Sequence, residues 1–156
     1  MNKKTVELAY LAGFFDGEGT VFVTKGGTKG NFVLQTSACN ISPLPLISLQ
    51  EAFGGSIMSM NRGKANWRPY YQWQTNSVKA EVALTALLPY LRVKAEQAKL
   101  ALAFRKVQKR QMRCRKHIGG HGSVRFTDIE NEEKQVLREA IHILNTGGTV
   151  KSQYKR

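Results

Sequence analysis

Leu11-Ala12-Gly13-Phe14-Phe15-Asp16-Gly17-Glu18-Gly19 is the densest stretch of the 156-residue chain. It closes an apolar run, and two acids alternating with glycines follow directly on two phenylalanines. Thr5 to Phe15 reads as a helix apolar on nearly every side, so it is either buried or packed against another helix. Ala9 and Gly13 stand four apart with Ala12 between them, which lets a second helix backbone approach along Leu8, Ala9, Ala12 and Gly13. At a helix C-terminus the last carbonyls lack intrahelical partners and carry partial negative charge. A carboxylate added there makes a hard oxygen site suited to Mg²⁺. Two such helices side by side would bring two carboxylates to a symmetry axis, which suits two-metal phosphodiester cleavage. On residue types alone, a plain turn punctuated by Asp16 and Glu18 stands equally open.

Working outward, the hydrophobic period changes to two after Gly19. Strands are expected at Thr20–Thr24 and Asn31–Ala38, joined by a turn of Gly and Lys. Val21, Val23, Phe32 and Leu34 then face a core, and Thr20, Phe22, Thr24, Asn31, Val33, Gln35 and Ser37 face the other way. Pro43–Phe53 reads as a helix with Leu46, Ile47 and Leu49 inward, stopped by Gly54-Gly55. Strands at Ser56–Arg62 and Tyr70–Asn76 follow, with Ile57, Tyr71 and Trp73 inward and Met58, Met60, Arg62, Gln72 and Gln74 outward. Helices are expected at Val78–Leu88, from Arg92 to about Arg110, and from a capping-box Thr127 onward. The whole reads as one α+β domain over residues 1–146 with a loose basic tail at 147–156. The expected architecture is an αββαββα order, an antiparallel four-stranded curved sheet with helices on one face, whose first helix is either buried or paired with a second copy of itself. The free face of such a sheet can lie in the major groove.

Charge narrows the partner. Lys and Arg number 24 against 11 acids, a net charge of +13. Such a surplus points to a polyanion, nucleic acid first. Between Gly19 and Ala80 Glu51 is the only acid, whereas Arg105–Lys116 holds seven basic residues and Asp128–Glu139 five acids. The apolar share of 42% excludes wholesale disorder. No apolar run approaches the roughly 18 residues of a membrane span. Glu7 and the acids after Phe15 exclude a signal peptide, and two cysteines suggest no disulfide framework, so an intracellular protein is expected. Cytoplasm, nucleoid or organelle matrix all fit. Cys114, His117 and His121 have ligand-like spacing for zinc but lack a fourth ligand. Trp67 is read as capping a hairpin and His142 as a core histidine.

The nonapeptide resembles the motif of the LAGLIDADG homing endonucleases. It is identical at Leu11, Ala12, Gly13, Asp16 and Gly19 and conservatively replaced elsewhere. Two further segments resemble the family: Asn40–Gly55, with its polar start, Leu-rich helix and Gly-Gly stop, and Leu88–Ala98, with its Pro-aromatic-Leu and Lys-x-x-Gln-Ala run. The likeness extends from Thr5 to Asn145. The single motif implies a homodimer acting on double-stranded DNA at a long near-palindromic site. It also implies a nuclease encoded in an intron or similar mobile element, leaving short 3′ overhangs. By the resemblance, Glu18 and the carbonyl of Gly17 hold Mg²⁺ (Mn²⁺ or Ca²⁺ can occupy the site). Asn40 positions water, Lys94 stabilises transition-state charge, and Asp16 holds the helix end. Near Leu44, where some relatives carry Arg, this chain has no basic residue, and Arg92 is the nearest substitute.

DNA contacts are expected from the outward set Thr24, Asn31, Gln35, Ser37, Met60, Arg62, Gln72 and Gln74 for base edges. Lys25, Lys29, Lys64, Arg68 and the run from Arg105 to Lys116 are expected at phosphates. Two other readings stand beside cleavage: an RNA maturase on intron RNA, or a non-cleaving DNA-binding regulator, on the same scaffold. A third is a general nucleic-acid-binding module, for which carboxylates facing phosphates have no use.

Overall fold

The computed structural model describes residues 2–26, 31–61, 68–113 and 128–147. Ten elements follow in order: α1 (Lys3–Glu18), β1 (Gly19–Gly26), β2 (Asn31–Asn40), α2 (Leu44–Phe53), β3 (Ser56–Met60), β4 (Tyr70–Asn76), α3 (Ser77–Leu87), a 3₁₀ turn (Leu88–Tyr90), α4 (Ala95–Arg113) and α5 (Asp128–Asn145). The strands form one antiparallel sheet in the order β1-β2-β4-β3. All five helices pack on the face that carries Val21, Val23, Phe32, Leu34 and Trp73, each of them buried. Among the described residues no helix is long and apolar enough to cross a membrane.

Helix α1 runs three residues past the expected end, so Asp16 and Glu18 lie inside its last turn. Leu11, Ala12 and Phe15 are wholly buried, one stripe at helical spacing. The final glycine of the motif is dictated by Phe15. A Cβ on Gly19 would stand 2.5 Å from the Phe15 ring and from its carbonyl oxygen, and the Gly19 N–H donates to that carbonyl to end the helix. Gly55 is fixed in a similar way. Its φ of +99° is the left-handed region, and a Cβ there would meet the Gln74 carbonyl at 2.6 Å. This close approach lets the Trp73 indole N–H donate to the Gly54 carbonyl at 2.8 Å inside the core.

One long-range contact sets where α1 ends relative to everything after the sheet. The Asp16 carboxylate accepts the backbone N–H of Arg92 at 2.7 Å and of Lys94 at 2.9 Å. The Lys94 ammonium donates to the Asp16 carbonyl, one of the orphan acceptors at the helix C-terminus. This clasp is the physical reason that Arg92–Lys94, expected as the start of a helix, is a bend, and that α4 begins at Ala95. Partial burial alone would raise the Asp16 carboxyl. The N–H donors of Arg92, Lys94 and Val93, with the Lys94 charge, outweigh it and hold the group below its ordinary value of 3.8.

Three expectations on side-chain placement, for Ile47, His142 and Ala12, are corrected. Ile47 is 38% exposed, because the buried stripe of α2 is Leu46, Leu49 and Phe53. His142 is exposed, because the buried stripe of α5 is Lys134, Leu137 and Ile141 and His142 lies one residue off it. Ala12 is fully covered by its own chain, and Leu8 packs partly against the core. Residues 62–67, 114–127 and 148–156, with the expectations on Trp67, Cys114, His117, His121, the Thr127 cap and the tail, lie outside the described residues.

Two outcomes follow. Gly19→Ala should destabilise the fold by about 1–3 kcal/mol through overpacking against Phe15, read as a lowered urea midpoint. An unchanged midpoint would refute the close approach. Asp16→Asn should cost about 1.5 kcal/mol near neutral pH, the low end for hydrogen bonds to a charged group because the site is partly exposed. A depressed folded-state carboxyl contributes stability above the unfolded value of 3.8 and loses it as pH falls through the folded-state value. The gap in Tm between wild type and Asp16→Asn should therefore be constant from pH 7 to 5 and shrink below about pH 4. A gap independent of pH would remove the carboxylate from the account.

Candidate active site and nucleic-acid face

Three segments converge on the C-terminal end of α1. The helix itself brings Gly17 and Glu18, both exposed. Glu18 makes no hydrogen bond or ion pair among the described residues, so its carboxylate is open to solvent. Strand β2 brings Asn40. The pairing of Gly19 with Ala38 carries the last residues of β2 alongside the end of α1. The Asn40 side-chain oxygen accepts the Ser42 N–H at 2.8 Å, a local turn into α2 that leaves its amide N–H₂ as the available donor. The Arg92–Lys94 bend brings Lys94, whose ammonium rests on the Asp16 carbonyl, two residues before Glu18. Glu18, Gly17, Asn40 and Lys94 thus share one end of one helix, and Asp16 has the holding role expected of it.

The far side of the sheet forms a second surface. The ladder places Thr20, Ser37, Gln74 and Ser56 in one row, Phe22, Gln35 and Asn76 in the next, and Cys39, Gln72 and Met58 on the other side. Thr24 stands opposite Val33, position 31 opposite Gly26, and Met60 opposite Tyr70. Thr24, Gln35, Ser37, Met60, Gln72 and Gln74 therefore fall on one face of the strands, as their alternation implies, while the side chain of Asn31 lies outside what the structure describes. Ser37 does not reach out from it. It is only 6% exposed, a small side chain in mid-sheet between Thr20 and Gln74. Lys25 is exposed but pairs with the buried Phe32, so the register puts it on the helix side at the strand's end. Arg68 is exposed beside the start of β4. Lys29, Arg62 and Lys64 lie outside the described residues.

Three cations of the basic run, Arg105, Lys109 and Arg110, are tied to acids of the chain, while Lys106 is exposed and the side chains of Arg113, Arg115 and Lys116 lie outside the described residues. Arg105 is 6% exposed, and its guanidinium meets the Glu81 carboxylate at 3.2 Å and donates to the Gln108 side chain. Gln108 in turn donates to the Phe32 carbonyl at 2.9 Å. Lys109 pairs with the other Glu81 oxygen at 2.6 Å, and Arg110 pairs with Glu133 at 2.7 Å. Burial alone would raise the Glu81 carboxyl, but hydrogen bonds and charge from Lys109 and Arg105 hold it below its ordinary value. These cations tie α3, α4 and β2 to one another and α4 to α5, so they are committed inside the chain.

Of the open side of α1 the sequence pointed to Gly13 but not to Val6, Tyr10 or Gly17. Val6 is 50% and Tyr10 57% exposed, Gly13 and Gly17 are exposed, and a Cβ built on either glycine meets nothing within 4 Å. At spacings of four, three and four these residues make one stripe. Its trace in the sequence is the pair Gly13 and Gly17, which the motif alignment absorbed.

No family model and no curated protein matches the chain. Solved structures do. The homing endonuclease I-CvuI, in complex with the I-CreI target, is 20% identical with a TM-score of 0.67, covering 98% of this chain and 87% of that one. The archaeal intron-encoded homing endonuclease I-Vdi141I, complexed with DNA, is 16% identical with a TM-score of 0.54, covering 88% and 98%. The LAGLIDADG homing endonuclease I-SmaMI, bound to cleaved DNA, is 21% identical with a TM-score of 0.54, covering 84% of this chain but 42% of that one. The helix that carries the nonapeptide, the sheet order and the free sheet face together have the fold of the LAGLIDADG homing endonucleases.

Proposed function

We propose that this chain is a homodimeric, site-specific DNA endonuclease that hydrolyses one phosphodiester bond on each strand of a long near-palindromic duplex, leaving short 3′ overhangs. The observation that carries this reading is Glu18: an unpaired, exposed carboxylate at the negative end of α1, beside Lys94, on a fold shared with nucleases solved on DNA. A carboxylate is held at that end against the helix dipole, which favours cations there.

The donor set fits a hard divalent cation. Glu18 and the Gly17 carbonyl supply oxygen ligands, and among the described residues no three His, Cys, Asp or Glu side chains converge to make a different metal site. Mg²⁺ bound there would neutralise charge on the scissile phosphate and lower the pKa of a bound water. Lys94 supplies a positive charge to the phosphoryl oxygens as negative charge develops. The free amide N–H₂ of Asn40 orients water by hydrogen bonding. The outer sheet face lies in the major groove, with Thr24, Asn31, Gln35, Met60, Arg62, Gln72 and Gln74 toward base edges, and Lys25, Lys29, Lys64 and Arg68 toward phosphates. Ser37 acts behind Gln74 and makes no contact of its own.

One chain offers one free carboxylate at the C-terminal end of α1, and a double-strand cut needs two sites. The stripe of Val6, Tyr10, Gly13 and Gly17 supports pairing of two copies, since the absence of side chains at the glycines lets helix backbones approach closely. The alignment of this chain with 42% of I-SmaMI is in keeping with a body built from two such units.

Glu18→Gln should retain binding to the target and lose cutting by at least about a hundredfold, the scale of removing a positioned acid or its metal. Gel retardation and cleavage on one duplex, the joined flanks of the host element, report both. Cutting at the wild-type rate would remove Glu18 from the site. Binding without cutting by wild type as well would favour the maturase or regulator. Gly13→Leu should leave thermal stability near wild type, because the position is open, while sedimentation shows a monomer that no longer cuts. A dimeric Gly13→Leu protein would place the interface elsewhere.

A further inference from the structure

We propose that the DNA under the centre of the sheet is an A·T-rich segment in each half of the target, an inference that rests on reading this face as a DNA-binding surface. Within the four strands no described residue of the outer face carries a charge. Four of its side chains are amides, Gln35, Gln72, Gln74 and Asn76, and none of them makes a hydrogen bond among the described residues. Their donors and acceptors are unspent. Gln35, Gln72 and Gln74 are half-buried, which restricts their rotamers and lowers the entropy cost of fixing them on a partner.

The chemistry of base edges turns this composition into a preference. In the major groove guanine offers two acceptors and is taken by Arg or Lys, and cytosine offers a donor and is taken by Asp or Glu. Neither class stands among the described residues of the face within the four strands; Arg62 lies outside them, past the end of β3. Adenine offers one donor and one acceptor, matched bidentately by Gln or Asn, and thymine offers a methyl group matched by an apolar side chain. The register sets both kinds side by side: Gln72 opposite Met58, and Gln35 opposite Phe22. An amide beside an apolar side chain matches the two halves of one A·T pair.

The test is a selection. Duplexes with two-fold-symmetric randomised arms are retained by the protein with Ca²⁺, cut with Mg²⁺, and sequenced. The expected products carry a run of A·T pairs at several positions in each arm. Gln72→Arg should convert one position in each arm to G·C, with about tenfold preference, and Gln35→Arg should convert a different one. G·C-rich arms, or arms without preference in sites that are otherwise selected and cut, would overturn the inference while leaving the nuclease intact. If no duplex of any sequence is retained, the DNA-binding reading falls and this inference falls with it.

Discussion

A carboxylate placed at the C-terminal end of a helix is repelled by the dipole, and in Asp16 that repulsion is overcome by a clasp. Burial and the dipole both disfavour the ionised group. Backbone N–H donors from Arg92, Lys94 and Val93, with the Lys94 charge, more than offset them. Because the donors belong to the backbone, the clasp fixes a chain path rather than a side-chain pose. It locks the bend before α4 to the end of α1, and with the Gly19–Ala38 pairing it brings three chain segments to one point. Glu18 stays outside the clasp with its oxygens open. Two acids two residues apart thus have different environments, one satisfied by the protein and one left for something else.

The two faces of the sheet divide charge in an unusual way for so basic a chain. Cations of α4 are held by Glu81 and Glu133, where they tie helices together. The described residues of the sheet's outer face are neutral within its strands, and Arg68 stands exposed beside the start of β4. Phosphate contacts raise affinity for any sequence, whereas base contacts discriminate. A neutral centre with a positive margin keeps the two contributions apart. On the proposed reading the net charge of +13 would draw in a polyanion over distance, and the centre would contribute little to holding the wrong one.

The sequence made some of this legible and some of it invisible, for reasons that can be stated residue by residue. Alternation with a period of two is a local property, so the ladder and the set Thr24, Gln35, Met60, Gln72 and Gln74 could be read directly. Alternation gives direction but not reach, which is why Ser37 faces outward yet is covered by its neighbours. A helix apolar on all sides carries no marker of which side its own chain covers, so Ala12 was taken for the open side and Val6 and Tyr10 were not. The ion pairs of Arg105, Lys109 and Arg110 join residues far apart in sequence, so the run looked like an uncommitted basic patch. Glu18, Asn40 and Lys94 were reached by resemblance. Periodicity has no means of showing that three distant segments meet.

Lys94 occupies two positions in the argument, and the clasp reconciles them. Its ammonium caps an orphan carbonyl of α1, which looks structural, while the proposed chemistry asks it to face a phosphate. Were the ammonium the only link between the bend and the helix, a phosphate that drew it away would release the site it was meant to serve. The structure does not rely on that link. The backbone N–H groups of Arg92 and Lys94 bond the Asp16 carboxylate, an acceptor separate from the Asp16 carbonyl that takes the Lys94 ammonium. The cap stabilises the free chain and is the part that can be exchanged. A carbonyl carries only a fraction of a charge and a phosphoryl oxygen a larger one, so on the proposed mechanism the exchange would run toward the phosphate. The aspartate that holds the bend is what frees the lysine beside it to act.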